Sequence, residues 1–565
     1  MPDPWGGDRP EADKVEALHK HLADVWQQVR LEMAILDTFK NETYQVWPDG
    51  VRRPAYHSPK PRYLIDHAVD TQMSVDPTVK KYAAGEGDEH KARADAVEPA
   101  LTAVMLDAAM KETTIPWRQA YSYLVGYGYS VMGSLWDETG GEKKKGEDEE
   151  GYEARMVGWN PVRIKAPHPS RVLMNPYEMQ PDIAVVEAQR YAGDLANLVK
   201  RKGRYGSKRI GTFEVGDNPY RPVPTIEVFT AQWHGLKLKE QGEFLVLERH
   251  TFDFQPWCHA FAGWGGEVTN AEDADPKHLA VSMLAGVKEL IRVQSQKMSA
   301  LHNAVLERGF GQLGTTKNSE EAAQQLADPD AVLQGEETDW WLLKRPDIAS
   351  WVFQSLKDDD AEIEAATYVR QLTGEHQAGV TTLGQSQMYN LAASRKFYVP
   401  AKQIERMASI VAKNICKMVT ERGESITVHG LKLTPKDIGG SYDVAVTFKQ
   451  VDPSVQMALD QITMAKAKDG FISRETAREA MGMENEAEEK KRLLHEEVDK
   501  LPDVHEQMLI NARRDAGFKE LADRLQEALD ARIKGTGSVL PQTPVLGQNG
   551  AAVAPVPPAG PQGVM

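Results

Sequence analysis

KHLAVSMLAGVKELIRVQSQKMSALHNAVLER, residues Lys277–Arg308, carries the strongest helical pattern in the chain. Leu279, Met283, Leu284, Val287, Leu290 and Ile291 recur at spacings of three, four and seven, and Met298, Leu301, Val305 and Leu306 extend the stripe. Asp275-Pro276 supplies a start signal and Gly309 a stop. At 1.5 Å per residue such a helix is a rod of roughly 45 Å. A Gly-, Pro- and Trp-rich insert follows it. A second helix is expected from Asp358, a break over Gly374–Gly384, and a long helix from Gln385 to Arg422. Two rods of that length overrun an ordinary compact domain and suggest assembly between chains.

Upstream, Glu11–Lys40 reads as one amphipathic helix, Arg62–Lys81 as a second, and Glu89–Lys111 as a third kinked at Pro99. Ile115-Pro116-Trp117 opens a fourth. Gly126-Tyr-Gly-Tyr-Ser-Val-Met-Gly133 has two glycines of a phosphate-cradling loop, but Val131 holds the place of the third. It reads instead as a helix end passing into a strand at Ser134-Leu135-Trp136. Asp137–Gly151 is almost devoid of apolar residues and is expected to be an exposed tip. Strand signals then dominate: Val162–Lys165, Val172–Met174, Ile183–Val186, Thr225–Phe229 and Phe244–Leu247, with a helix at Ala192–Arg204. After the long helix, Ile426–His429 and Tyr442–Phe448 alternate as strands expected to complete the earlier sheet. Residues 453–534 read as charged helix, and 535–565 as a disordered tail rich in Pro, Gly and Ala. The fold class expected is α+β.

The chain has 565 residues, 41% of them hydrophobic, so several domains are expected. Its net charge of −16 confines any nucleic-acid contact to local or non-adhesive ones. Two cysteines, Cys258 and Cys416, make no disulfide framework, which points to a reducing compartment. No apolar run is long enough to span a membrane, and no secretory leader pattern opens the chain.

Catalytic and metal signatures are missing. Gly311-Gln-Leu-Gly314-Thr-Thr-Lys317 has the wrong glycine spacing for a nucleotide loop, and no HExxH, CxxC or G-x-S-x-G occurs. His19 and His21 point apart on a helix, and Asp358-Asp359-Asp360 is accounted for as the acidic first turn of one. No enzyme activity, cofactor or metal is expected.

The order of long helix, small insert, second helix, Gly/Thr loop, long helix, short strands and final helical segment resembles the portal proteins (head-to-tail connectors) of tailed bacteriophages. Local likenesses lie at Ala331–Gly335, at Asp358–Gly374 and at Asp469-Gly-Phe-Ile-Ser-Arg-Glu-Thr-Ala477. The resemblance implies a wing (1–276), a first stem helix (277–308), a clip (309–357) and a second stem helix (358–375). A tunnel loop (376–386), long wing helix (387–423), wing strands (424–452), helical crown (453–534) and the tail (535–565) complete it. It further implies a ring of about twelve copies at one capsid vertex of the virion, conducting double-stranded DNA. Its partners would be the terminase large subunit, head-completion and tail adaptors, and the major capsid and scaffolding proteins, with no membrane.

Under the resemblance, Lys288, Arg292 and Lys297 become candidate DNA-channel residues; alternatively they are ordinary paired or solvated helix residues. Gly379, Val380, Thr381, Thr382, Leu383 and Gly384 form the tunnel loop, or simply a connection between helices. Trp340, Trp341, Lys344 and Arg345 form the clip's partner surface, or a small core. Rival readings of the whole are an α+β enzyme with an unrecognised site and a coiled-coil scaffold. Against the second, the heptads drift and Gly286 interrupts them.

Overall fold

The computed structural model describes residues 9–51, 53–85, 87–137, 141, 147–200, 212–239, 242–250, 252–266, 275–309, 313–315, 340–342, 350–367 and 383–448, with isolated positions beyond 450. The chain divides into two compact units, Met1–Gln450 and Val451–Met565. The readings of 453–534 as helix and 535–565 as tail lie almost wholly outside the described residues.

Unit one opens with α1 (Ala12–Val25) and α2 (Gln27–Lys40). The single helix expected over 11–40 is thus divided at Trp26. There the indole is buried, donates Nε1–H to the Met174 carbonyl at 2.8 Å, and packs on the Tyr129 and Phe261 rings. α3 (Lys60–Gln72) ends earlier than expected. Thr78–Lys81, read as its last turns, is instead β1, because Asp76-Pro77 cannot continue a helix and Val79 finds a cross-strand partner. α4 (Asp88–Met110) tolerates Pro99 inside it, and α5 (Pro116–Tyr127) stops at Gly128, φ +75°. A Cβ at Gly128 would lie 2.3 Å from the Val281 backbone, so only glycine lets the two segments cross. The chain passes directly into β2 (Tyr129–Trp136), the helix-to-strand passage expected there.

Helix α6 (Glu149–Met156) begins inside the stretch read as an exposed tip. β3 (Val162–Lys165), β4 (Val172–Met174) and β5 (Ala184–Tyr191) follow, then α7 (Ala192–Lys200). β6 (Pro222–Phe229), β7 (Trp233–Leu238), β8 (Phe244–Arg249) and β9 (Trp257–Phe261) complete the strand-rich half. Two antiparallel sheets result, ordered β3-β2-β9 and β4-β5-β6-β7-β8. Strands β7 and β9 escaped the pattern because both are buried on both faces, which erases alternation.

Ion pairs fix α1 and α2 on the larger sheet. Glu16 meets the buried Lys237 at 3.0 Å, while His19 and Arg30 converge on Glu187 at 2.6 and 2.8 Å. The His19 hydrogen bond holds the Glu187 carboxyl below the usual carboxylate range. His19, read as a surface histidine, is therefore buried and paired.

The C-terminal part of the unit carries α8 (Lys288–Gly309), β10 (Leu313–Thr315), β11 (Trp340–Leu342), α9 (Ser350–Ala366) and α10 (Leu383–Arg422). Then come β12 (Ile426–Val428), β13 (Leu431–Leu433), α11 (Pro435–Ile438) and β14 (Val444–Thr447). Along α10, Ile404, Met407, Val411, Ile415 and Val419 are fully buried at helical spacing, so this half of the rod lies within the unit's core. The last strands do not complete the earlier sheet. β12 pairs only with β13, and β14 pairs with β1, Val79 opposite Val446. Strands more than 350 residues apart in sequence thus share a ladder.

Candidate functional site

The helix expected over 277–308 begins at Lys288. Residues 276–278 make one 3-10 turn, and the segment after it combines short local turns with hydrogen bonds to α5. Met283 N–H donates to the Val125 carbonyl at 3.0 Å, and Ser282 Oγ donates to the Gly126 carbonyl at 2.6 Å. Turn bonds and two tertiary hydrogen bonds here stand in for a continuous helical ladder, while Met283, Leu284, Val287 and Ile291 stay buried as the stripe required.

Beyond Ile291 the inward face of α8 turns polar. Gln294, Ser295 and Ser299 are buried, whereas Val293 and Val305 are exposed. Ser295 Oγ lies 2.6 Å from the Tyr44 hydroxyl, which accepts from Ser58 N–H at 2.7 Å. Ser299 Oγ accepts from Tyr56 N–H at 2.7 Å, and Gln296 donates to the Val46 carbonyl at 2.6 Å. The clamp from residues 44–60 was not read from the sequence. The i, i+4 serines next to Ile291 were its signal, since small polar side chains on a buried face let another backbone approach.

Helix α9 starts two turns before Asp358, so the aspartate run is its middle, not its first turn. Trp351 and Phe353 mask the start by resembling the aromatic insert. Lys297 Nζ bonds both oxygens of the buried Asp359 at 2.8 and 3.0 Å and Ser355 Oγ at 2.7 Å. Asp360 binds Gln294 and Lys60. As α8 runs from 294 to 297 its partners run from 360 back to 355: the helices are antiparallel.

The three candidate channel cations are all neutralised within the chain. Lys288 pairs with Glu32 of α2, Arg292 with Glu289 at 2.6 Å, and Lys297 with Asp359. Arg292 stays the most exposed of them, its side chain 46% accessible. Of the tunnel-loop residues, Gly379–Thr382 lie outside the described residues, while Leu383 and Gly384 open α10. Trp340 and Trp341 sit on β11, which pairs antiparallel with β10, Trp340 opposite Thr315. Lys344 and Arg345 lie outside the described residues.

The two strands, one after α8 and one before α9 in the chain, pair with each other. Exposed apolar side chains stand on the pair: Trp351 at 70% exposure and Phe353 at 49% on α9, Val293 and Val305 on α8.

Elsewhere, Arg190, Glu227, His234 and Glu248 cluster in the larger sheet. Glu227 is buried, yet Arg190 and His234 hold its carboxyl far below the usual range despite that burial. Cys258 and Cys416 are buried thiols, and burial pushes both upward, Cys416 to about 12, so neither is primed as a nucleophile. Among the described residues no helix is long and apolar enough to cross a membrane, and no group of three or more His, Cys, Asp or Glu could hold a metal ion.

No protein-family model and no curated protein matches the chain. Among solved structures it is weakly similar to a chain of "Neck of empty GTA particle computed with C6 symmetry". The identity is 12% and the TM-score 0.34, over 75% of this chain and 90% of that one. This chain is a mixed helix-and-sheet protein.

Proposed function

We propose that the chain is a ring-forming portal protein: about twelve copies around a DNA-conducting tunnel at a capsid vertex, docking the terminase and later the tail adaptors, and itself turning nothing over. The observation that carries this reading is the antiparallel pair α8/α9, its flanking strands β10 and β11 paired with each other and its surface bearing exposed apolar residues. A polar seam joins the pair to its own chain, so the apolar cover is left for neighbours, which is the reverse of a self-contained globule. Residues Trp340, Trp341, Lys344 and Arg345 are the proposed partner surface, and Gly379–Gly384 the collar around the duplex. Lys288, Arg292 and Lys297, bound to carboxylates, give a stem of little net charge, which suits a sliding duplex better than a basic groove does.

Mass photometry and negative-stain microscopy of the full chain test this. An annular particle of about twelve copies is expected. Trp351→Ser with Phe353→Ser should shift it to smaller species without moving the unfolding midpoint, because both side chains are exposed within one copy. A wild-type chain that stays monomeric or dimeric across salt conditions overturns the reading.

A further inference from the structure

A cleft of about 510 Å³ opens between the end of α2, the start of α5 and the turn that precedes it. Its cations are Lys40 and Arg118, and no carboxylate lines it. In a chain of net charge −16, a wall that holds two cations and no acid is not the ordinary surface, although Arg118 is paired with Asp70 outside that wall.

Lys40 is half-buried and makes no ion pair within 4 Å among the described residues. Its ammonium donates to Ser122 Oγ at 3.3 Å and lies 5.8 Å from the Tyr123 ring centre. Burial lowers its pKa, opposed from farther off by Asp66 and Asp37, as befits a cation short of counter-charge. Arg118 is fixed from behind, donating to the Met73 carbonyl at 3.1 Å and pairing with Asp70, which leaves guanidinium N–H groups for the cleft. Ser122 accepts from Lys40 and keeps its own proton to donate. Gln119 is held by Thr114 and by the Tyr123 hydroxyl, so it shapes the wall. The Thr113 hydroxyl lines the rim and the Tyr123 ring gives an apolar side.

We propose that this cleft binds a small organic oxyanion, its phosphate or carboxylate group between the Lys40 ammonium and the Arg118 guanidinium and its body against Tyr123. The volume lies in the range of small-molecule sites, roughly 300–1,000 Å³, and exceeds what a bare anion fills. The cleft is lined by residues of a single copy.

Isothermal titration of the full chain with inorganic phosphate, AMP and citrate at one ionic strength is the test. Saturable binding of AMP or citrate is expected, and which of them binds separates a phosphate from a carboxylate ligand. Lys40→Gln and Arg118→Gln should each weaken it at least tenfold. Lys111→Gln should leave it unchanged, because that lysine is occupied by Asp107 and the Asn160 carbonyl. Unfolding midpoints and particle mass, measured in parallel, show that each variant is folded and separate this outcome from the assembly reading. No saturable heat with any of the three anions, or undiminished binding in folded Arg118→Gln, overturns the proposal.

Discussion

His250 and His259 are buried in the strand-rich half, each with Nε2 near a main-chain carbonyl, of Thr230 at 3.1 Å and of Asn175 at 3.0 Å. Burial lowers both pKa values to about 4, so the folded state holds them neutral while an unfolded chain protonates them near 6.5. The stability they contribute is whole above pH 6.5 and is lost as the pH falls toward 4, on the order of 3 kcal/mol for each. Glu227 and Glu187, held below their ordinary values, add to the loss at still lower pH. Urea unfolding between pH 7.5 and 4.5 should show a steadily falling midpoint; a flat profile would contradict the assignment. None of this was legible in the sequence, where a histidine's surroundings do not show. The same holds for Lys288 and Lys297, whose spacing was visible but whose carboxylate partners, Glu32 and Asp359, lie 256 and 62 residues away.

Helix α8 shows how an apolar stripe can be right about burial and wrong about backbone. Met283, Leu284 and Val287 are buried as the spacing required, yet they lie outside the helix: Met283 N–H donates to the Val125 carbonyl of α5, Leu284 N–H to Ser282 Oγ, and Val287 N–H closes a turn on the Leu284 carbonyl. Farther along, Ser295 occupies the place where the stripe calls for leucine. A sequence argument would expect Ser295→Leu to stabilise. The structure says the opposite: Ser295 is fully buried against Tyr44, and a larger side chain both overpacks the seam and breaks the bonds to Ser58 and Tyr44. The expected cost is about 2 kcal/mol, read as a lowered denaturation midpoint. An unchanged or raised midpoint would show that the seam is not as tight as its distances.

The division after Gln450 can be tested on the whole chain. Truncation after Gln450 keeps β14 paired with β1 and should preserve the unfolding transition of the first unit. Truncation before Gly440 removes β14 and also the Ser441 carbonyl that, with that of Ile438, receives the buried Lys81 ammonium. That shorter chain should lose the cooperative transition. Circular dichroism melts of the two truncations decide this, and equal melting of both would refute it.

Local order was written in the residues: most helices, the helix-to-strand passage at Gly128 and four of the five strands in the larger sheet follow from spacing, proline and glycine. These depend on neighbours a few positions apart, and a linear pattern records such neighbours. The closing of β14 on β1, the polar clamp on α8, the pairing of Lys288 and Lys297 and the Lys40–Arg118 cleft each join segments tens to hundreds of residues apart. Only folding brings those groups within a few ångströms, where hydrogen bonds and charge act, so the tertiary structure alone settled them.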